Sequence, residues 1–518
     1  MKAQSQVTSN VVHYYLPEYS RNMIMAASAP WLVADPTMPL QRVVILARHG
    51  TKVPALDVIA TCPALKPTLD AFKEEQSCLP GMLTPAGMRQ LRRSGDFARS
   101  RYVDEHVLPA SYLLNGSFSF TSQRDPFCLQ SSTAFTRGLF PKGDEASIAA
   151  GAPEPPVVPV YVEYGKVGED VLLNCRDGPC ASAWSAQIAR MSLELYDKFY
   201  SRWNGTLAQL SAVCGSNLVS AKLEQIKGLV DALDWAAEAA VYSVGDELEI
   251  TSRRSVREMG LWLVQNLFVG TGTTLAVSAC GFPRRLFETI AAVPRGGPEL
   301  AFYLNHRELL YGASQALGIS DFRVSDNHPT GLITTGLTLF FEQYGAGMDA
   351  QIRLFAFAPA HHHDLDWYES RVIPLTVHGC DPSTPCAVTQ LSENFATFVE
   401  QSGELSQVCG LSQQKTSGAT SATAGGRGTL SVIGKDARRG ACPGHTSPDD
   451  PVADCWSLQA FFLGAALTLL FASFGVTLFH VAPRTTLRGG EQKSEAGRGH
   501  ADPADSHDYR MYAPCADF

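Results

Sequence analysis

An unbroken apolar run, Val43-Val44-Ile45-Leu46-Ala47, passes directly into Arg48-His49-Gly50. A strand with one wet face alternates apolar and polar residues. A strand apolar at every position must bury both faces, as the strands of a parallel sheet do when helices cover each side. This pattern predicts an α/β layered fold. In open α/β sheets, ligands collect beyond the carboxyl ends of the strands, so Arg48 and His49 are placed where a ligand would sit. A neutral imidazole there is a competent nucleophile. Arg48 and Lys52 are cations within reach of the charge that phosphoryl transfer would develop. Gly50 would let the backbone approach a phosphate closely. On these residues alone, an ordinary strand-to-helix turn is the favoured reading.

The residues between 42 and 410 carry the remaining signals of a folded body. Leu83–Tyr102 is predicted as a helix, opened by Thr84 with Pro85 at its first position. Ser185–Trp203 and Ala221–Ala240 show helical spacing and place a helix-rich stretch at roughly 165–260, which could form a separate lobe. Gln351–Phe357 is strand-like, with Val372–Val377 as a candidate hairpin partner. The chain has 518 residues, enough for two lobes or one large domain with appendages. A net charge of −9 without a long basic run argues against nucleic acid as a partner. It also means that any phosphate site must carry its own cations.

The end of the chain reads differently. Residues 411–456 are rich in Gly, Ser, Thr and Ala without an apolar period, which predicts a flexible stalk. Leu458–Val481 is uncharged and nearly all apolar, long enough for the ~20 residues that a membrane helix needs. A single transmembrane helix over 457–482 follows. Arg484 and Arg488 beyond it orient the body to the lumen or cell exterior and leave 483–518 as a cytosolic tail. The opening residues 1–41 are aperiodic and show no leader of the usual pattern.

Of the 13 cysteines, only Cys515 follows the candidate span. Cys62, Cys78, Cys128, Cys175, Cys180, Cys214, Cys280, Cys380, Cys386, Cys409, Cys442 and Cys455 precede it. An even set on one side of a membrane predicts disulfides in an oxidising compartment. The close pairs Cys175/Cys180 and Cys380/Cys386 could each close a small loop. Asn115 and Asn204 open glycosylation sequons.

Beyond its first residues, Arg48-His49-Gly50-x-x-x-Pro54 resembles the signature of the histidine acid phosphatases. Leu83-Thr84-Pro85-x-Gly87-Met88-x-Gln90 with Gly95 and Arg99-x-Arg101-Tyr102 resembles that family's next helix. Ala134-Phe135 with Gly138-Leu139-Phe140-Pro141 resembles a third block, and His306-Arg307-Glu308-Leu309-Leu310 with Ala316-Leu317-Gly318 the distal catalytic segment. The four blocks stand in the family's order across 42–410. The resemblance implies a phosphoglycerate-mutase-like histidine phosphatase fold with a parallel-sheet core and a helical cap lobe. It implies hydrolysis of phosphate monoesters with His49 as nucleophile, Arg48 and His306 as phosphate ligands, and no metal or cofactor. The layout of body, stalk, span and tail resembles membrane-bound acid phosphatases of the kinetoplastid type, on an endosomal, lysosomal or surface membrane.

Three positions depart from the family pattern. Lys52 stands where the family has a second arginine; it keeps the charge but loses the two-pronged grip. Phe127 occupies the place of the third phosphate-binding arginine, so Arg124 is the candidate substitute. Arg307 follows His306 where an aspartate is common. Glu308 matches the branch that places a glutamate two residues after the histidine, and is thereby the implied proton donor. These departures leave open a second function, a catalytically impaired relative that binds or traffics. His361-His362-His363-Asp364 is a possible metal tract but is better read as a polar turn. Asp326-Asn327-His328 before Pro329 reads as a loop. Gly270-Thr271-Gly272-Thr273-Thr274 lacks the lysine of a phosphate-binding loop.

Overall fold

A computed structural model describes residues 38–112, 117–141, 158–162, 170–239, 250–294, 297–320, 331–360, 370–381 and 384–411. Its strands are β1 (Leu40–Arg48), β2 (Phe118–Ser122), β3 (Tyr161–Val162), β4 (Glu299–Asn305), β5 (Ile319–Ser320), β6 (Thr338–Tyr344), β7 (Gln351–Ala358), β8 (Arg371–Pro374), β9 (Thr376–Val377) and β10 (Cys386–Ala387). The main sheet runs β10–β7–β6–β1–β4–β2–β3, with β8 also paired to β7.

The apolar run sits at the centre of this sheet. Val43, Ile45 and Ala47 pack into one hydrophobic core, while Val44 and Leu46 pack into the other. Both faces are therefore buried, for the reason that the absence of alternation required. β1, β4, β2 and β3 are mutually parallel. The other half is antiparallel: β6 pairs β1, β7 pairs β6, and β8 and β10 pair β7. The parallel core is thus one half of a mixed sheet. β6 lies beside β1 in the sheet, runs opposite to it and hairpins into β7, so its direction differs from that of β4. β8 is the predicted partner of β7, but only to Pro374; Thr376–Val377 turns away to pair β5.

Two helices cover the first face. Pro85–Ala98 begins where Thr84 caps it, the hydroxyl accepting from the Gly87 amide at 3.0 Å. The last residues of the predicted helix loosen into a π-turn, Arg99–Val103. Pro126–Leu139 lies against it at a glycine crossing, Gly95 on Gly138, where a Cβ on either would collide with the backbone of the other helix. The second face carries the helix-rich stretch. The predicted Ser185–Trp203 helix is the middle of one 34-residue helix, Ala181–Cys214, and Leu223–Ala239 follows it. Their buried side chains belong to the same core as Val44 and Leu46, so this stretch shares the sheet's core instead of closing one of its own.

Disulfides tie the two together. Cys62 pairs with Cys214, Cys175 with Cys280, and Cys180 with Cys409. Cys175 and Cys180 do not close a small loop; each reaches across the fold. Cys380–Cys386 does close one. Cys78 is also disulfide-bonded, whereas Cys128 is a free, buried thiol. Among the described residues no helix is long and apolar enough to cross a membrane; the run Leu458–Val481 lies outside them.

Candidate active site

Three parallel strands end together. β1 ends on Arg48, β4 on Asn305 and β2 on Ser122, and the chain after each turns into the same cleft. Backbone bonds fix the exits: the His49 amide donates to the Asn305 carbonyl at 2.9 Å and the Gln123 amide to the Leu304 carbonyl at 3.0 Å. The loop after His49 is pinned from behind. The Thr51 amide donates to Gln90 Oε1, and Thr84 donates to the Thr51 carbonyl through both its amide and its hydroxyl, each at 2.9 Å. Gly50 sits so close to Gly87 that any side chain on it would strike the Gly87 backbone. The close approach expected of Gly50 is therefore to a helix, and the Gly50 amide is already bonded to Ser131 Oγ.

His49 is buried, and its Nδ1 donates to the Gly50 carbonyl at 2.8 Å. That bond assigns the tautomer: the proton sits on Nδ1, and Nε2 keeps its lone pair. Desolvation holds the imidazole well below its ordinary pKa, with His306, Arg48 and Lys52 adding in the same direction. Burial and the neighbouring cations therefore favour the neutral ring. The His306 ring lies edge-on to it at 5.1 Å and the Phe127 ring at 4.7 Å.

Arg48 is anchored by Nη1 to the Ile333 carbonyl at 2.8 Å and faces Asp231 at 3.5 Å; its Nε has no partner. Lys52 extends over the Phe127 ring, 4.2 Å from its centre. The position that lost its arginine thus holds a ring that parks a cation next to the nucleophile. Arg124, expected to substitute, is half-buried without a hydrogen bond or ion pair among the described residues, and its charge is not among those that act most strongly on His49. The cation beside Phe127 is Lys52 instead, because the loop that carries Lys52 is bridged to Leu83 and aimed there.

His306 is the residue before the Arg307–Ala316 helix, and its Nε2 lies 3.0 Å from Asp125 Oδ2. This pairing pulls the Asp125 carboxyl down to about 2, against the desolvation that opposes it. Burial lowers the His306 pKa, with Asp125 opposing and Arg176 assisting.

Glu308 is buried in the first turn of that helix, where the helix dipole favours an anion. Lys227 Nζ lies 2.5 Å from its Oε1, and Arg176 and Arg307 each approach to 4.0 Å. Despite desolvation, which opposes it, the three cations hold its pKa well below the carboxylate range. A carboxyl so held favours its ionised form, which stands against the donor role expected of Glu308. Arg307 is bound by both of its Nη atoms to Asp231, at 2.8 and 2.9 Å.

Asp125, Arg176, Lys227 and Asp231 complete the cluster, and the sequence reading missed all four. Three of them come from the 170–239 stretch, where nothing local marks a charge that will face Arg48 or Glu308. Asp125 stood in plain sight one residue past Arg124. Asn204 is exposed on the long helix; Asn115, His361-His362-His363-Asp364 and Asp326-Asn327-His328 fall outside the described residues. No group of metal-ligating residues occurs among the described ones.

No family model matches the chain. It is 30% identical over 204 residues to testicular acid phosphatase of Homo sapiens, a stretch covering 39% of this chain and 44% of that protein. It is 30% identical over 210 residues to testicular acid phosphatase of Mus musculus, again 44% of that protein. The chain thus spans less than half the length of these curated relatives. Among solved structures, Hafnia alvei phytase without ligand superposes with a TM-score of 0.54 at 17% identity, over 73% of this chain and 99% of that one. Klebsiella phytase gives a TM-score of 0.54 at 13% identity, over 70% and 96%. At such identities the likeness is one of fold.

Proposed function

We propose that this chain, a member of the histidine acid phosphatase family, hydrolyses phosphate monoesters in two steps through a phosphohistidine on His49. The observation that carries the reading is the bond from His49 Nδ1 to the Gly50 carbonyl, in a site where burial and cations keep the ring neutral. Protonation would silence the nucleophile; here it is opposed at the pH where an acid phosphatase works.

In the first step Nε2 attacks phosphorus, the P–N bond forms and the ester P–O bond breaks, leaving its electron pair on the departing oxygen, which takes up a proton. In the second, water attacks the phosphohistidine, gives a proton back to the site, and inorganic phosphate leaves. Arg48, Lys52 and His306 surround the phosphoryl group and offset its charge. Glu308 orders Lys227 and Arg176 at the edge of the site. The apolar run at Leu458–Val481 supports a membrane anchor with the catalytic body in a lumenal or external space, and Asn115 and Asn204 are its candidate glycosylation sites.

The test is release of inorganic phosphate from an aryl phosphate by the purified full chain at about pH 5. Wild type turns over; His49→Ala does not, and no acid-labile phosphoenzyme is trapped from it. Phosphate release by the variant at the wild-type rate sinks the reading. A second reading, a binding protein without turnover, is favoured by one observation: Phe127 and Lys52 stand where two arginines are expected. Wild-type protein that binds phosphate but releases none from the ester decides for it.

A further inference from the structure

We infer that the leaving group takes its proton from His306, with Asp125 as the counter-ion that orients the imidazole and supports its charge. The inference rests on the phosphohistidine reading and names the donor that reading lacks. The two positions where a donor would be sought are both occupied by other work. Arg307 carries no transferable proton and is clamped onto Asp231 by two bonds. Glu308 is buried among Lys227, Arg176 and Arg307, so a proton on it would have to displace a 2.5 Å ion pair.

His306 lies beside the nucleophile, with ring centres 5.1 Å apart. It borders, as Glu308 does, the small cavity shared with Asn174, Arg176, Trp184 and Ser278, where the alcohol part of a substrate would lie, but unlike Glu308 it is not held by a ring of cations. Its Nε2 is committed to Asp125, and Nδ1 has no hydrogen-bond partner among the described residues. Backing a histidine with a carboxylate fixes the ring and stabilises the imidazolium. The charged groups that face it are Asp125, Arg176, Glu308 and, edge-on, the His49 ring. Burial lowers its pKa; a phosphate dianion opposes that effect by favouring the cation.

The steps balance. As the His49 Nε2–phosphorus bond forms and the ester oxygen departs, that oxygen takes the Nδ1 proton of His306, which becomes neutral imidazole. The same Nδ1 then accepts a proton from the attacking water, restoring imidazolium as phosphate is released. Asp125 stays ionised throughout and acts as a positioning residue.

Leaving groups separate this assignment from its rivals. A nitrophenolate departs without a proton, whereas a simple alkoxide needs one, so kcat/KM for the two esters weighs the donor while folding losses cancel in the ratio. In the full chain, Asp125→Asn is expected to lower kcat/KM for an alkyl phosphate about tenfold more than for nitrophenyl phosphate, and His306→Gln about a hundredfold more. Glu308→Gln is expected to lower both equally. Equal losses in Asp125→Asn and His306→Gln, or a selective loss confined to Glu308→Gln, overturn the donor assignment while the phosphohistidine reading stands. If wild type releases phosphate from neither ester, or His49→Ala is as active as wild type, both fall together.

Discussion

Two buried carboxylates illustrate opposite uses of one kind of interaction. Glu342, on β6 opposite Val43, is fully buried and fully engaged. Arg101 binds it through Nε at 2.5 Å and Nη2 at 2.9 Å, Tyr102 and Tyr344 donate hydroxyls at 2.7 and 2.8 Å, and Arg353 stands 4.0 Å away. Its oxygens are all partnered, and nothing in the cluster faces the cleft. Glu308, in the first turn of the helix after β4, is also buried but poorly matched. Its Oε1 is near three cations yet accepts no well-directed bond, and among the described residues Arg48 Nε and Arg307 Nε beside it have no hydrogen-bond partner. Unmade bonds of this kind are costly, and natural folds retain them where a ligand completes them. The first cluster is complete within the protein; the second leaves hydrogen-bonding atoms unmatched, as the proposed phosphate site requires.

That contrast predicts a double dissociation. The largest effect is expected from Glu342→Ala, which strands Arg101 and Arg353 in the core. Stability should fall by about 3–5 kcal/mol in urea unfolding, while kcat/KM of the surviving folded protein stays near wild type. Arg48→Ala should do the reverse. Activity on an aryl phosphate should drop about 10²–10³-fold, with the unfolding midpoint nearly unchanged because Asp231 keeps both of its bonds to Arg307. If Arg48→Ala unfolds the protein as readily as Glu342→Ala, the division between the clusters is broken.

Smaller effects sharpen it. Phe127→Leu removes the ring beneath Lys52 and should lower kcat/KM by about 3- to 30-fold, the worth of a partly desolvated cation–ring contact of ~0.5–2 kcal/mol. In a Lys52→Met background the same change should cost little, since the contact is already gone; a full effect there shows that the ring acts by packing alone. The smallest effect is on stability against pH. His49 has a folded pKa well below its unfolded one, so the unfolded chain binds the extra proton. Stability from this group is complete above about pH 6.5 and is lost as pH falls from there toward the folded value. Asp125, lowered to about 2, contributes above its unfolded value near 3.8 and loses that contribution only as pH falls to about 2. His49→Phe should therefore flatten the decline that begins as pH falls below about 6.5, measured by melting temperature, and leave the loss that Asp125 contributes toward about pH 2 in place. A decline that is unchanged in the variant shows that His49 is not a neutral buried group.

The phosphate loop was legible because its signals are local. An unalternating strand says that both faces are buried, and the residues after it then fall at a strand end. Thr84 and Pro85 announce a helix start in the same way. The mixed sheet was less legible: β6 is as apolar as β1, and periodicity records burial but not direction. The surroundings of Glu308 were not legible, because a motif records residue type and spacing, not charge environment. Lys227 and Arg176 are distant in sequence, and only the packing of the helical stretch on the sheet brings them to 2.5 and 4.0 Å from that carboxylate.

The sequence by itself determined the strand, the turn, the candidate nucleophile and the order of the blocks, since each depends on residues within a turn or a pleat of one another. Which cations surround each buried carboxylate, which stand beside His49, and which cysteines pair were decided only by the tertiary structure. Charge interactions fall off with distance in space and are amplified by burial, and neither quantity is written along the chain.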